Sequence, residues 1–195
     1  VIEDTFVAGR PRWELAMPSD VLVTSNVEPY ELMKLRLLNS AHSALSYAAL
    51  LCDHVHVDSA LADPDVFAYL RAYMSEVVKT LEEVQGVDLA EYQRSLLERF
   101  SNTYIKDKLS RLALDGSQKF MNTLKDALLA YREKMAFTRE ITAKAANWIL
   151  PRDRHAGEGT SMVALALAAF MRYCNSTDLD GELLPKNGAG GHAAH

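Results

Sequence analysis

The sequence predicts an all-α domain, and three observations carry that expectation. Strand signals are confined to Val21 to Thr24, a single short β-branched run. Apolar residues recur at helical spacing along nearly all the rest of the chain. Helix-start chemistry, a capping acid followed by proline or a second acid, stands ahead of two of those apolar runs, at Asp63-Pro64-Asp65 and at Asp88.

Taken in order, residues 1–27 form a Pro-rich, irregular lead-in. A first long helix starts at Pro29, whose missing N–H costs nothing in a first turn, and runs to about Cys52. The second opens at Asp63-Pro64-Asp65, buries Phe67, Leu70, Met74, Leu81 and Val84, and stops at Gly86. Asp88 and Glu91 stand at capping-box spacing before Tyr92, Leu96 and Phe100, which mark a third. Ile105, Leu109 and Leu112 carry a fourth to Gly116. Leu124, Leu128, Tyr131 and Met135 mark a fifth, and Ile141, Ala145 and Trp148 a sixth that ends at Pro151. Residues 152–159 make a polar loop before a last helix from about Thr160 to Asn175. The helical domain thus spans residues 1–186, and the Gly- and Ala-containing residues 187–195 form a disordered tail.

Composition narrows the function classes. The chain has 195 residues, 49% of them hydrophobic, enough for one domain with a full core. Its formal net charge of -5 and the lack of a basic stripe interleaved with aromatics argue against a nucleic-acid partner. The most apolar run, Met162 to Met171, is too short to cross a bilayer, so no membrane partner is expected. Cys52 and Cys174, far apart among apolar neighbours, suggest buried, reduced thiols and a cytoplasmic setting. The start at Val1 suggests an excised or processed piece. Cys52, His54 and His56 alternate without a second cluster at zinc spacing, so no metal is expected. Gly157-x-Gly159 follows a polar loop and has Met162 where a third glycine would stand, so it is not a dinucleotide turn.

The chemistry concentrates on the first long helix. At about 100° per residue, Lys34 shares a side with Leu38, Ala41, Leu45, Ala49 and Cys52, whereas Arg36, Ser40, Ser43 and Tyr47 form an opposite polar stripe. Lys34 should therefore point inward, with Asn39 and His42 flanking it. A buried lysine has its pKa lowered toward the range of a general base. The same three residues also suit structural roles: a lysine that snorkels to water, an amide that caps a loop and a hydrogen-bonded core histidine.

Lys34, Asn39 and His42, in the form Lys-x4-Asn-x2-His within Tyr30 to His42, resemble the signature helix of the polyol-specific long-chain dehydrogenases, the mannitol dehydrogenase family. The resemblance extends through Val1-Ile2-Glu3-Asp4, Ala8-Gly9-Arg10-Pro11, Arg99-Phe100-Ser101-Asn102, Asp115-Gly116-Ser117-Gln118-Lys119 and Ala166 to Tyr173, and covers the chain to about Glu182. One departure is Phe120-Met121 after Lys119, where the family places a proline. The resemblance implies a helical C-terminal domain whose polyol lies in a cleft against an N-terminal dinucleotide-binding domain. It implies that Lys34 is the general acid/base, that Asn39 hydrogen-bonds the reacting oxygen, that His42 contacts the same oxygen or a neighbouring hydroxyl, and that Arg111 and Lys119 bind hydroxyls farther along the sugar chain. It further implies NAD or NADP bound mainly by the other domain, metal-independent interconversion of a sugar alcohol and its ketose, mannitol and fructose first, and no activity from this chain alone. Rivals are a sugar-acid reductase acting on fructuronate or tagaturonate, and a non-catalytic helical binding module.

Overall fold

The computed structural model describes residues 1–18, 20–119, 123, 125, 127, 129–130 and 161–174. The marker residues of the expected fifth helix (Leu124, Leu128, Tyr131 and Met135), the sixth helix, the Gly157-x-Gly159 loop, the Phe120-Met121 departure and the 187–195 tail lie outside the described residues.

The lead-in is more ordered than expected. Strand β1 (Ile2–Glu3) pairs in parallel with β2 (Val23–Thr24), and the short α1 (Trp13–Ala16) lies between them in sequence. Arg10 ties this segment together, donating to Asp4 at 3.0 Å and to Glu14 at 2.8 Å. The one β-branched run of the sequence thus pairs, but only over two residues.

The first long helix is continuous from Glu28 to Leu51, as α2 (Glu28–Met33), a π turn (Lys34–Asn39) and α3 (Ser40–Leu51). Pro29 lies in its first turn, as its fixed φ favours. Around α3 pack α5 (Pro64–Val78), α7 (Leu109–Ala113) and α9 (Met162–Cys174), so that α3 is the axis of the core. Further helices among the described residues are α4 (Val57–Leu61), α6 (Leu89–Phe100) and α8 (Gly116–Lys119).

The polar stripe expected on α3 is a correction: Ser40, Ser43 and Tyr47 are buried rather than solvated. The reason is that a serine can return its hydroxyl to the helix itself. The Ser40 hydroxyl donates to the Arg36 carbonyl, Ser43 to Asn39 at 3.3 Å and Ser46 to Ser43 at 3.0 Å. With their polar groups satisfied locally, these small side chains let α9 and its aromatics close in: the Tyr47 ring lies 5.0 Å from that of Phe170 and 5.4 Å from that of Tyr173. The cysteines are a second correction. Both are exposed, Cys52 just past the end of α3 and Cys174 at the end of α9.

The caps follow the sequence more closely than the helix ends do. The Asp63 carboxylate accepts from the amides of Asp65 and Val66, and that of Asp88 from Ala90 at 2.8 Å and Glu91 at 3.1 Å. Glu91 does not complete a capping box, because its carboxylate pairs with Arg94 instead. Helix α5 ends at Val78, well before Gly86; the Thr80 hydroxyl turns back to the Val77 carbonyl and Arg36 takes the Thr80 carbonyl at 2.9 Å. Helix α7 begins at Leu109 and not at Ile105, since Lys106 has φ +49° and Ile105 is exposed. Its start is held to the start of α4 and the residues just before it by Val57 N–H to Asp107 C=O at 2.9 Å and Leu109 N–H to Val55 C=O at 3.0 Å.

Candidate active site

The Ser40 amide bonds to the Leu35 carbonyl, five residues back, and this i to i−5 pattern defines the π turn over Lys34 to Asn39. A π turn takes up about one residue more than an α turn, so each later position sits where its predecessor would in an unbroken α-helix. Asn39 therefore falls one turn beyond Lys34 and His42 two turns beyond it, along one stripe of the helix. Ala41 and Leu45 are rotated off that stripe by about 100°.

This rotation corrects the expectation that Lys34 points inward. Ala41 and Leu45 are fully buried, whereas Lys34 is exposed, Asn39 half-buried and His42 half-buried. The stripe thus descends from solvent toward the core. Unbroken α geometry had tied the lysine to the Ala41 and Leu45 face, and the π turn uncouples them.

At its inner end the stripe meets a cavity of about 180 Å³, lined among others by Leu38, His42, Asp58, Phe100, Asn102 and Asp107. The His42 imidazole lies over Phe100, with centroids 4.4 Å apart and planes inclined at 32°. Burial pushes its pKa down to about 4, with Asp107 opposing and the positive charges of Arg111, Arg99 and Lys119 reinforcing. A neutral imidazole offers one N–H donor and one acceptor nitrogen.

The structure brings Arg111 and Lys119 into the electrostatic surroundings of His42. Arg111 is exposed and engages Asp107 through two nitrogens, Nε donating to Oδ1 at 2.7 Å and Nη2 to Oδ2. Lys119 Nζ donates to the Leu112 carbonyl at 3.0 Å, joining α8 to α7. Sequence reasoning missed Asp107, Asp58 and the cavity-lining part played by Phe100 and Asn102. The Arg99 to Asn102 stretch was visible as a family match, yet nothing in its residue types says that it faces His42. Asp107 carried a weaker signal, its i, i+4 spacing to Arg111.

Two weaker features resolve into ordinary contacts. His54 Nε2 lies 3.3 Å from the Asp63 carboxylate, and among the described residues no three His, Cys, Asp or Glu groups converge to hold a metal ion. No helix among the described residues is long and apolar enough to cross a membrane. A wider concavity of about 710 Å³ on the lead-in is lined by Arg10, Glu14, Val21 and Thr24, and its arginine is taken up by Asp4 and Glu14.

Residues 26–162 match the family described as Mannitol dehydrogenase C-terminal domain. Mannitol dehydrogenase 2 of Saccharomyces cerevisiae is 35% identical over 183 residues, 93% of this chain and 32% of the yeast protein. The chain belongs to the mannitol dehydrogenase family. D-mannonate oxidoreductase of Escherichia coli, also 35% identical, aligns over 153 residues, 76% of this chain and 30% of that protein. Among solved structures, the Pseudomonas fluorescens mannitol 2-dehydrogenase ternary complex with NAD and D-mannitol has 36% identity and a TM-score of 0.67, over 93% of this chain and 32% of that one. The chain therefore spans about a third of the length of these relatives, and it is a mostly helical domain of the polyol dehydrogenase type.

Proposed function

We propose that this chain supplies the substrate-binding and proton-transferring part of a nicotinamide-dependent dehydrogenase that interconverts a sugar alcohol and its ketose, mannitol and fructose first. The observation that carries the reading is the stripe of Lys34, Asn39 and His42 created by the π turn, leading from solvent to a cavity edged by Asp107. The solved relative with NAD and D-mannitol supports the same substrate class.

Oxidation of a secondary alcohol requires its O–H proton to leave as the hydride departs from carbon, so a base within hydrogen-bond reach lowers the barrier. Lys34 takes this proton and returns it in the reverse direction. The Asn39 amide and the neutral His42 N–H donate to the oxygen as negative charge develops on it, a fixed polar arrangement that needs little reorganisation. Arg111 and Lys119 hold hydroxyls farther along the chain of the sugar. A bound nicotinamide would supply the hydride acceptor for the alcohol carbon, and the hydride donor for the reverse reaction. The residues here are read on the substrate side of that exchange, with the dinucleotide phosphates assigned to an N-terminal domain as the family resemblance implies.

Similarity to a D-mannonate oxidoreductase keeps a sugar-acid reductase as the second reading. Steady-state reduction of fructose and of fructuronate by the complete protein separates the two. The polyol reading expects the higher kcat/KM with fructose, and a clear preference for fructuronate would overturn it.

A further inference from the structure

Two side-chain hydrogen bonds, one from each side of Lys34, fasten its segment to the stretch that follows α5. The Tyr30 hydroxyl donates to the Gln85 carbonyl at 2.8 Å, and Arg36 Nη1 donates to the Thr80 carbonyl at 2.9 Å. Thr80 is buried, and its own hydroxyl turns back to the Val77 carbonyl at 2.6 Å, so the Arg36 bond ends on the core. Arg36 is also where the π turn departs from α geometry. In an α-helix the Ser40 amide would bond to the Arg36 carbonyl; here that amide goes to Leu35, and the Ser40 hydroxyl donates to the Arg36 carbonyl in its place. One residue thus carries both fastenings of the turn, its carbonyl filled by Ser40 and its guanidinium anchored on Thr80.

We propose that Arg36 is a positioning residue for Lys34: by clasping the π turn to Thr80 it holds the register in which Lys34, Asn39 and His42 share one stripe. The inference rests on the polyol reading above and deepens it. Arg36 is half-buried, its Nε has no hydrogen-bond partner, and it forms no ion pair among the described residues. A cation held in this way adds little to stability, because its desolvation offsets the single bond; what the bond fixes is a position. To regain α pairing the Lys34 segment would have to turn by about 100° and shift by about 1.5 Å along the helix axis, and the burial of Tyr30 and Met33 just before it resists that change. Without the clasp the segment is therefore loosened between two registers while its ends stay in place. A displacement of about 1 Å in a reacting group can cost about 10² in rate.

The test is a double-mutant cycle on the complete protein, with mannitol oxidation measured in wild type, Arg36→Met, Lys34→Ala and the double variant. Arg36→Met should lower kcat by about tenfold to a hundredfold while KM moves far less, and the same change should cost little further in the Lys34→Ala background, because a residue that acts through Lys34 has nothing left to position there. A merely structural arginine would lower kcat by the same factor in both backgrounds, and that result overturns the inference, as does wild-type turnover in a folded Arg36→Met protein. Both of those outcomes leave the polyol reading in place. Wild-type turnover in Lys34→Ala would instead overturn the reading of Lys34, and the inference with it. Should Arg36→Met fail to fold, Arg36→Gln, which keeps a polar head but falls short of the Thr80 carbonyl, takes its place in the cycle with the same expected and overturning results.

Discussion

The His42 imidazole is stacked over the Phe100 ring at 4.4 Å, and this contact removes it from water beside a cluster of positive charge. Its pKa in the folded chain is about 4, against 6.5 when solvated, so the unfolded chain takes up the proton first on acidification. The associated stability is fully present above pH 6.5 and is lost as pH falls toward 4, to an extent of at most about 3 kcal/mol. Thermal unfolding followed between pH 7 and pH 4 should show this slope in wild type and a flatter one in His42→Gln. Equal slopes would mean that His42 binds its proton as readily in the fold as in the unfolded chain.

Glu76 on α5 caps α9, although some 85 residues separate them in sequence. Its carboxylate accepts from the Ser161 hydroxyl at 2.9 Å and from the amides of Met162 and Val163 at 2.9 and 3.0 Å. These amides have no intrahelical partner, and a negative charge there also meets the positive end of the helix dipole. Glu76→Ala should therefore lower stability by about 1–2 kcal/mol in urea unfolding, with a smaller loss in Glu76→Gln. A change within about 0.3 kcal/mol would show that water caps this helix equally well.

Gly116 opens α8 against the core, where a Cβ would sit 3.1 Å from the Tyr47 hydroxyl and 3.4 Å from Phe170 Cε2. That hydroxyl is buried without a hydrogen-bond partner among the described residues. Gly116→Ala should cost about 1–2 kcal/mol through overpacking, and Tyr47→Phe, which removes the crowding atom, should recover much of that cost in the double variant. Additive effects in the four-member cycle would place the strain elsewhere.

The legible parts of this fold are those written in local chemistry. Asp63-Pro64 and Asp88 name helix starts because the capping acid and its amides are within three residues of each other, and Pro29 does the same for the long helix. The ends were less legible: α5 stops at Val78 under the tertiary hold of Arg36 on the Thr80 carbonyl, whereas Leu81, Val84 and Gly86 suggest a longer run. Helix α4 was missed because five residues do not establish a period. At the site, residue types pointed to Lys34, Asn39 and His42, but unbroken α periodicity put the lysine on the wrong face. No residue in Lys34 to Asn39 announces a π turn, and the turn decides which side chains share a stripe. Asp107 escaped notice for a related reason: its carboxylate gains meaning only once α7 and the His42 helix are packed together.

The π turn also makes the role of Lys34 testable apart from fold stability. Lys34 is exposed, so Lys34→Ala removes no buried group and should leave the thermal midpoint of this chain nearly unchanged. In the complete protein the same change should lower polyol oxidation by about 10² to 10⁴, the usual share of a positioned general base. On the proposed reading Arg111 and Lys119 carry much of the substrate, so KM for the polyol should move far less than kcat. The direction of the pH dependence follows from the role. Oxidation needs the free amine and should rise with pH, while ketose reduction needs the ammonium and should fall over the same range. In Lys34→Ala that dependence should disappear from the chemical step, and a small primary amine added to the buffer should restore part of the rate. A variant that keeps both its turnover and the wild-type pH profile would make Lys34 a surface residue and move the search for the proton acceptor to His42, whose lowered pKa would then set an oxidation profile already flat above about pH 5.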